Sequence, residues 1–573
     1  MNMAQAKVLV IGGGPAGSVA ALTLQQLGHD VELYERELFP RYRVGESLLP
    51  GTMSILKRLG LQEKIDAANF VKKPSATFLW GQDQAPWTFS FATPRVSDWI
   101  FNHAMQVKRE EFDALLLDEV KNRGVRVFQG TPVRDVDVSS PDHVEITVEG
   151  DGETATVRGD FLVDASGSSS ILVKKLQLRR YDDFYRSLAV WSYFQRPDPF
   201  TGDLRGTTYS ITFEDGWVWM IPLKGNLYSV GIVVDQSKAA ELQEKGAEQF
   251  YIDTLAKCAR AMKILDGAER VDQVRLVRDW SYDTKTFSSG RFFLSGDSAC
   301  FTDPLFSQGV HLATQSAVSA GAAIDRLHAH PEEADAIHRW YAKSYSDTYE
   351  QYHEFLASFY TFASFTEPTS EFWRRRRIEE SADNRLERRE WFHKLVDKVN
   401  GSDDWNVADF RDRASTMIAI GKHQRQELSS EFSDSELQVA RIRWLSKLTS
   451  QLNSISKLRW NGDEVVLHPY FKVNPRTFQL EPKLVLGNET GRTMTKYPVE
   501  PPYAEVFHAV LRGELDYKGL IRSLGALGAK ETSSQIVIRL FEAGLLTAFD
   551  KQGQTVHIQD RLRFDGVGVE YEV

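Results

Sequence analysis

Two cysteines, Cys258 and Cys300, are all that 573 residues contain, and their spacing suits no metal. That scarcity excludes a disulfide framework and a cysteine-ligated zinc site, and it fits a reducing cytosol. Positive charge is also in short supply. Lys and Arg number 69 against 79 Asp and Glu, a net charge of -10, so a nucleic-acid binder held by phosphate contacts is not expected. No apolar run reaches membrane length, because glycines and a proline interrupt KVLVIGGGPAGSVAALTL, and no basic segment or cleavage site precedes it. The expectation is a cytoplasmic protein without a membrane span, divided into two or three domains.

What is present near the start is a nucleotide-binding signature. Lys7 to Ile11 reads as a buried strand ending at Gly12-Gly13-Gly14-Pro15-Ala16-Gly17, residues 18–27 as a helix, and residues 31–36 as a second strand. Gly12 suits the tight turn, Gly14 lets a pyrophosphate approach the backbone, Gly17 allows close packing, and Glu35 stands where ribose hydroxyls bind. Residues 108–129 give a helix and a strand, and residues 144–164 a hairpin ending in FLVDASG. Residues 185–235 alternate as antiparallel strands. Among them is DGWVWMIPL, which turns Trp217, Trp219 and Ile221 to one face, while Pro222 stops the ladder or sits at an edge.

Beyond these strands, RFFLSGDSACFTDPLFSQGVHLA returns to the nucleotide fold, and a long helix carries YEQYHEFLASFYTFASF. Residues 366–440 are charged and helical, with an Arg374–Arg377 run that suits either an acidic partner or a solvated face paired with Glu379 and Glu380. From about 500, three short helices and TVHIQDRLRF resemble a winged helix. Residues 501–573 hold 8 Lys and Arg against 10 Asp and Glu, and the third helix offers only Arg539, so DNA is not the expected partner.

With Gly296-Asp297, Arg109 in VKREEFD, and VDASG at 163–167, the signature resembles the FAD module of the p-hydroxybenzoate-hydroxylase superfamily. The resemblance implies FAD, held by Gly12, Gly14, Ala16, Gly17, Glu35, Arg36, Arg109 and Asp297. Three further features resemble the flavin-dependent halogenases, and its long runs their chloramphenicol-type subgroup. They are the W-x-W-x-I-P of Trp217, Trp219, Ile221 and Pro222, Lys73 in VKKPSATFLWG, and Pro304-Leu-Phe-Ser-Gln-Gly309.

The implied fold is α/β: a Rossmann-like FAD-binding domain with an inserted antiparallel β-sheet substrate domain, then a helical C-terminal region ending in a winged-helix-like module. The boundaries read as 1–365 (insert about 185–280), 366–490 and 491–573.

The implied reaction uses FADH2 from a separate flavin reductase. Oxygen gives a flavin C4a-hydroperoxide, and chloride attacks it to form hypochlorous acid. Backbone donors at Ser307, Gln308 and Gly309 would hold the halide. Lys73 would hydrogen-bond the hypochlorous acid or capture it as a chloramine. Lys72 is the rival, but neighbours on a strand face opposite ways and K-x-x-A-T-F favours Lys73. Glu46 suits either proton transfer or a structural hydrogen bond. Tyr352 suits either the substrate pocket or the core stripe of its helix. In the subgroup a carboxylate of this region can attach covalently to the flavin; the resemblance suggests Asp279 for it, with Asp283 as the rival and a surface or capping aspartate as the alternative. Phe306 replaces a glutamate of indole halogenases, which points away from tryptophan. The resemblance favours an acyl substrate on an acyl or peptidyl carrier protein, within antibiotic or other secondary metabolism. An aromatic hydroxylase on the same fold and a flavin-binding redox regulator are the alternatives.

Overall fold

The computed structural model describes residues 5–81, 86–91, 101–150, 152–196, 198, 202–367, 369–376, 446–460, 466–490, 493–499, 501–527, 533–542 and 546–556. They fall into two compact units, residues 1–405 with 473–480 and residues 406–472 with 481–573. Among the described residues no helix is long and apolar enough to cross a membrane.

In the first unit KVLVI forms the strand Lys7–Ile11, buried from Val8 onward because parallel strands flank it on both sides. The sheet runs Ser288–Ser289, Phe292–Leu294, Phe161–Asp164, Lys7–Ile11, Asp30–Glu35, Arg126–Gln129, parallel except at its first pair. The helices Pro15–Gln26 and Gly309–Ala329 pack so closely that a Cβ at Gly321 would come within 2.8 Å of the Thr23 side chain. That approach explains the small residues of the second helix.

The second sheet follows the order Glu269–Arg270, Arg179–Gln195, Leu227–Asp235, Gly216–Leu223, Thr208–Phe213, Ser75–Leu79, Trp87–Ser90, and Arg275–Thr284 pairs with Arg179–Gln195. The inserted antiparallel sheet is therefore present, but it reaches further than its alternating stretch suggests. Ser75–Leu79 joins it through one parallel pairing with Thr208–Phe213.

Period-two alternation divides DGWVWMIPL as expected. Trp217, Trp219, Ile221 and Leu223 enter one core with Leu49, Leu305, Leu312, Tyr352 and Tyr360. Val218 and Met220 enter another with Val230, Ile232, Phe250 and Tyr251. Pro222 lies opposite Tyr228, beyond the last pair on the other side, Met220 with Tyr209, so its missing N–H costs no bond in that ladder. The helix Ala334–Thr366 buries Tyr341, Tyr345, Tyr349, Tyr352, Leu356, Tyr360 and Ala363 along one stripe.

Arg376 overturns the idea of an unbroken cationic run. It is buried, ion-paired with Asp235 at 2.9 Å and stacked over Phe372 at 4.0 Å, whereas Arg374 and Arg375 are exposed. Arg377, Glu379 and Glu380 lie outside the described residues, as does most of 366–440.

In the second unit the helices Pro501–Leu511, Tyr517–Ala526 and Ser533–Glu542 precede an antiparallel pair, Leu546–Phe549 with Thr555–Val556, and Lys457–Trp460 adds a third strand. Leu458, Phe507, Leu520, Leu524, Val537, Leu540 and Leu546 share its core. Most of TVHIQDRLRF lies outside the described residues.

Candidate active site

The nucleotide cradle is built from glycine geometry. Gly12 has φ +100, and a Cβ at Gly17 would lie 1.8 Å from the Gly12 carbonyl oxygen, so both positions require glycine. Gly14 N-caps Pro15–Gln26 and has only the Arg41 guanidinium near it, 3.2 Å from where a Cβ would stand. A helix N-terminus and an arginine thus converge where a pyrophosphate would sit. Arg41 Nε is buried without a partner, while its Nη1 pairs with Asp113 at 3.0 Å.

Glu35 accepts from the amides of Gly13 at 2.7 Å and Glu37 at 2.8 Å, which fixes its carboxylate and leaves lone pairs for ribose hydroxyls. Arg36 is exposed, with Nη1 at 3.5 Å from Ser169. Ala16 contributes by being small, since a Cβ at Gly296 would come within 3.0 Å of it. VDASG is a turn brace: Asp164 accepts from the Ser166 amide at 3.0 Å and the Ser170 hydroxyl at 2.6 Å.

Arg109 spends four hydrogen bonds inside the protein, two on Asp113 and two on the carbonyls of Val44 and Gly45, leaving one of its five N–H groups. It therefore holds the loop that carries Glu46. Asp297 is half-buried, and burial pushes its carboxyl up to about 6 against the pull of Arg109 and Arg179. Arg179 has Nε and Nη2 buried without partners. These unfilled cationic and acidic groups fit a dinucleotide whose phosphates and hydroxyls complete them.

Lys73 ends the strand Val71–Lys73, whose alternation exposes Lys72 and buries Lys73. Its Nζ donates to the Leu48 carbonyl at 3.1 Å and lies 5.5 Å from the centre of the Phe91 ring. Burial alone lowers its pKa to about 7. An amine in this state is both a proton donor and a nucleophile near neutrality.

The tryptophan face is fixed by specific contacts. Trp217 Nε1 donates to the Tyr360 hydroxyl at 2.8 Å and Trp219 Nε1 to Ser229 at 3.2 Å. The Trp219 ring lies over Gly231, where a Cβ would meet it at 2.0 Å. Phe306 joins the aromatic wall, 4.9 Å from Phe359 and 5.9 Å from Phe78.

The 304–309 loop turns at Ser307, φ +61, and the Ser307 amide donates to the Pro304 carbonyl at 2.9 Å. That donor is spent within the loop and is not left for a ligand. The amides of Gln308 and Gly309 remain, opening Gly309–Ala329 where no intrahelical acceptor exists. Gln308 Nε2 donates to the Asp303 carbonyl at 2.6 Å, and Gln308 Oε1 is buried without a partner.

Two further buried groups have unmatched atoms: Glu46 Oε2 and the Tyr352 hydroxyl. Burial raises Glu46 to about 7, against the Ser229 and Tyr193 hydroxyls, and raises Tyr352 well above its ordinary value. His311 was not legible as a site residue. It packs against Gly51, its Nδ1 is buried and unpartnered, and burial lowers it to about 4, so it is a neutral imidazole. Asp279 lies opposite Ser187 in the strand Arg275–Thr284, and its side chain is outside what is described. Asp283 is held by Arg180 through bonds of 2.8 and 2.5 Å, at a cavity of about 280 Å³ lined by Asp182, Tyr349 and His353.

Comparison with known proteins matches residues 7–103 and 94–429 to the family described as Tryptophan halogenase, and residues 444–561 to the chloramphenicol halogenase CmlS C-terminal domain. The crystal structure of CmlS, a flavin-dependent halogenase, is 63% identical with a TM-score of 0.82, covering 99% of this chain and 100% of that one. The myxobacterial chondrochloren halogenase CndH is 33% identical with a TM-score of 0.62, covering 70% and 91%. A tryptophan 2-halogenase from Chondromyces crocatus is 33% identical over 359 residues, 62% of this chain and 67% of its own length.

Proposed function

The chain belongs to the tryptophan halogenase family of flavin-dependent halogenases, and from that premise we propose that it chlorinates an acyl group carried on an acyl or peptidyl carrier protein, in the making of an antibiotic or related secondary metabolite. FAD is the cofactor and chloride the co-substrate. Reduced FAD, supplied by a separate flavin reductase, provides with oxygen the oxidising power that turns chloride into hypochlorous acid. The 63% identity to CmlS along nearly the whole chain supports the antibiotic setting.

The amides of Gln308 and Gly309 desolvate and aim the halide. Arg41 and the helix N-terminus at Gly14 take the pyrophosphate, and Glu35 the ribose. The packed face of Trp217, Trp219 and Ile221 bars an organic substrate while admitting small species. Lys73 then captures hypochlorous acid: its free amine forms an N–Cl bond and water leaves. The substrate carbon takes the chlorine and gives up one proton, which restores the amine. Glu46, poised near neutrality, takes that proton from an enolisable carbon and passes it to the lysine nitrogen as chlorine leaves it, and Tyr352 is the second candidate for this proton transfer. Phe306 supplies no carboxylate for a cationic arenium intermediate, which agrees with an acyl substrate over an indole.

One observation carries this reading: a fully buried lysine whose amine is held by a single carbonyl and lowered to about 7. The test supplies reductase, NADH, oxygen and chloride with carrier-bound acyl substrates and looks for chlorine isotope patterns in product. Oxygenated product formed regardless of chloride would sink it.

A further inference from the structure

Asp303 ties the 304–309 loop to the tryptophan face through a single buried chain. Its Oδ1 accepts from the Leu305 amide at 3.1 Å, its carbonyl accepts from Gln308 Nε2 at 2.6 Å, and its own amide donates to Ser281 at 3.1 Å. The loop is thus folded around this residue. The other carboxylate oxygen, Oδ2, accepts from the Tyr360 hydroxyl at 2.6 Å, and that hydroxyl accepts from Trp217 Nε1 at 2.8 Å. Asp303, Tyr360 and Trp217 are exposed by 1%, 0% and 1%.

The chain has one direction. An indole N–H only donates and a carboxylate only accepts, so the phenol must accept from Trp217 and donate to Asp303. Tyr360 has no freedom to turn elsewhere, because the rings of Trp373 at 5.3 Å, Tyr185 at 5.5 Å and Trp80 at 6.4 Å enclose it. A shift of the Trp217 indole therefore reaches Asp303 through two short bonds, with no solvent to absorb it.

We propose that Asp303 and Tyr360 form a strut that couples the Trp217 barrier to the halide loop, so that halide seating and barrier position depend on one another. Asp303 and Tyr360 are positioning residues; neither touches the reacting atoms. The inference rests on the reading of Gln308 and Gly309 as the halide seat, and it goes beyond that reading by assigning the barrier a role in halide affinity.

The test compares the FAD-loaded parent with Tyr360→Phe, which removes both hydrogen bonds of the chain, and Trp217→Phe, which removes the first, each variant keeping a ring. Melting temperature is followed against chloride concentration, and chloride KM and kcat are measured in turnover. Halide that binds the folded state raises the melting temperature in proportion to occupancy. Trp217→Phe is expected to need roughly tenfold more chloride for the same shift, the size of one buried hydrogen bond, and Tyr360→Phe at least as much. Chloride KM should rise in both variants, kcat at saturating chloride should change far less in Tyr360→Phe, and the double variant should add nothing beyond Tyr360→Phe. A lower melting temperature with an unchanged chloride midpoint would make the chain merely structural and overturn the strut, as would parental behaviour in both variants. If the parent shows no chloride response in either measurement, the halide seat itself is wrong and the strut falls with it.

Discussion

The hydroxyl of Tyr193 donates a 2.5 Å hydrogen bond to Oε1 of the buried Glu46. Its orientation is imposed from further out. Trp191 Nε1 donates to the Tyr42 hydroxyl at 2.6 Å, which leaves the Tyr42 proton for Tyr193 at 2.9 Å and the Tyr193 proton for Glu46. The array presents a donor to the carboxylate and so favours its ionised form, against a burial cost that lifts it to about 7, with Ser229, Arg109 and Arg275 also opposing that rise.

Tyr193→Phe removes that donor, so the Glu46 carboxyl should move higher still, by about one pH unit. A general base must be ionised, and turnover is therefore lost as pH falls through its pKa. The acid limb of kcat against pH should sit near 7 in the parent and shift upward in Tyr193→Phe. An acid limb that does not move would remove Glu46 as the group that sets it.

Lys73 gives a stability signature independent of turnover. Its folded pKa, about 7, lies far below the ordinary lysine value, so between pH 7 and 10 the unfolded chain holds a proton that the folded chain does not. Stability must then rise with pH across that window, by up to about 1.4 kcal/mol per pH unit for this one group. Chemical denaturation between pH 7 and 9 should show the rise in the parent and lose this component in Lys73→Met. Equal slopes in the two proteins would mean that Lys73 is solvated.

Gly231→Ala places a methyl group where the Trp219 ring lies, 2.0 Å away by ideal geometry. The ring must shift, at a cost of about 1–3 kcal/mol. The predicted result is a folded protein with a larger share of oxygen consumption ending as hydrogen peroxide in place of chlorinated product. Unchanged coupling would show that the position of Trp219 is irrelevant to the barrier.

Much of this was legible because it rests on backbone geometry and period. Gly12 and Gly17 announce a turn that no side chain can enter, and the alternation of DGWVWMIPL sorts its tryptophans before any partner is known. The same alternation lets only one of Lys72 and Lys73 point inward, and the K-x-x-A-T-F spacing is what favours Lys73. What could not be read depends on contacts between residues distant in sequence. Arg376 looked like part of a cationic face until Asp235, 141 positions away, was found beside it. Tyr193, 147 positions from Glu46, and Tyr360, 57 from Asp303, are ordinary core aromatics until their hydroxyls are placed. Ser307 depends on a local feature that sequence does not show: with its backbone left-handed, its amide bonds back to the Pro304 carbonyl.

Arg376→Met should destabilise by about 2 kcal/mol, since it removes the closer and buried one of the two arginines paired with Asp235, whereas Arg374→Ala should stay within about 0.5 kcal/mol. Urea unfolding of the two variants decides it. If Arg376→Met unfolds like the parent and only carrier binding suffers, the buried pair is not structural and the docking reading of the arginine run returns.

The subgroup's covalent flavin attachment is carried to Asp279. Denatured parent protein should retain its flavin on a denaturing gel under ultraviolet light, and Asp279→Ala should release it. Release from both proteins would end the assignment.

The amine of Lys73 is the centre of the account, and Lys73→Met, which keeps the length of the side chain without its nitrogen, examines it most directly. The variant is loaded with FAD and given reductase, NADH, oxygen, chloride and carrier-bound acyl substrate. Oxygen uptake and chlorinated product are measured together. Uptake near the parental rate with chlorinated product at background is the predicted result. Chlorinated product at the parental rate would contradict it and remove Lys73 from the chemistry.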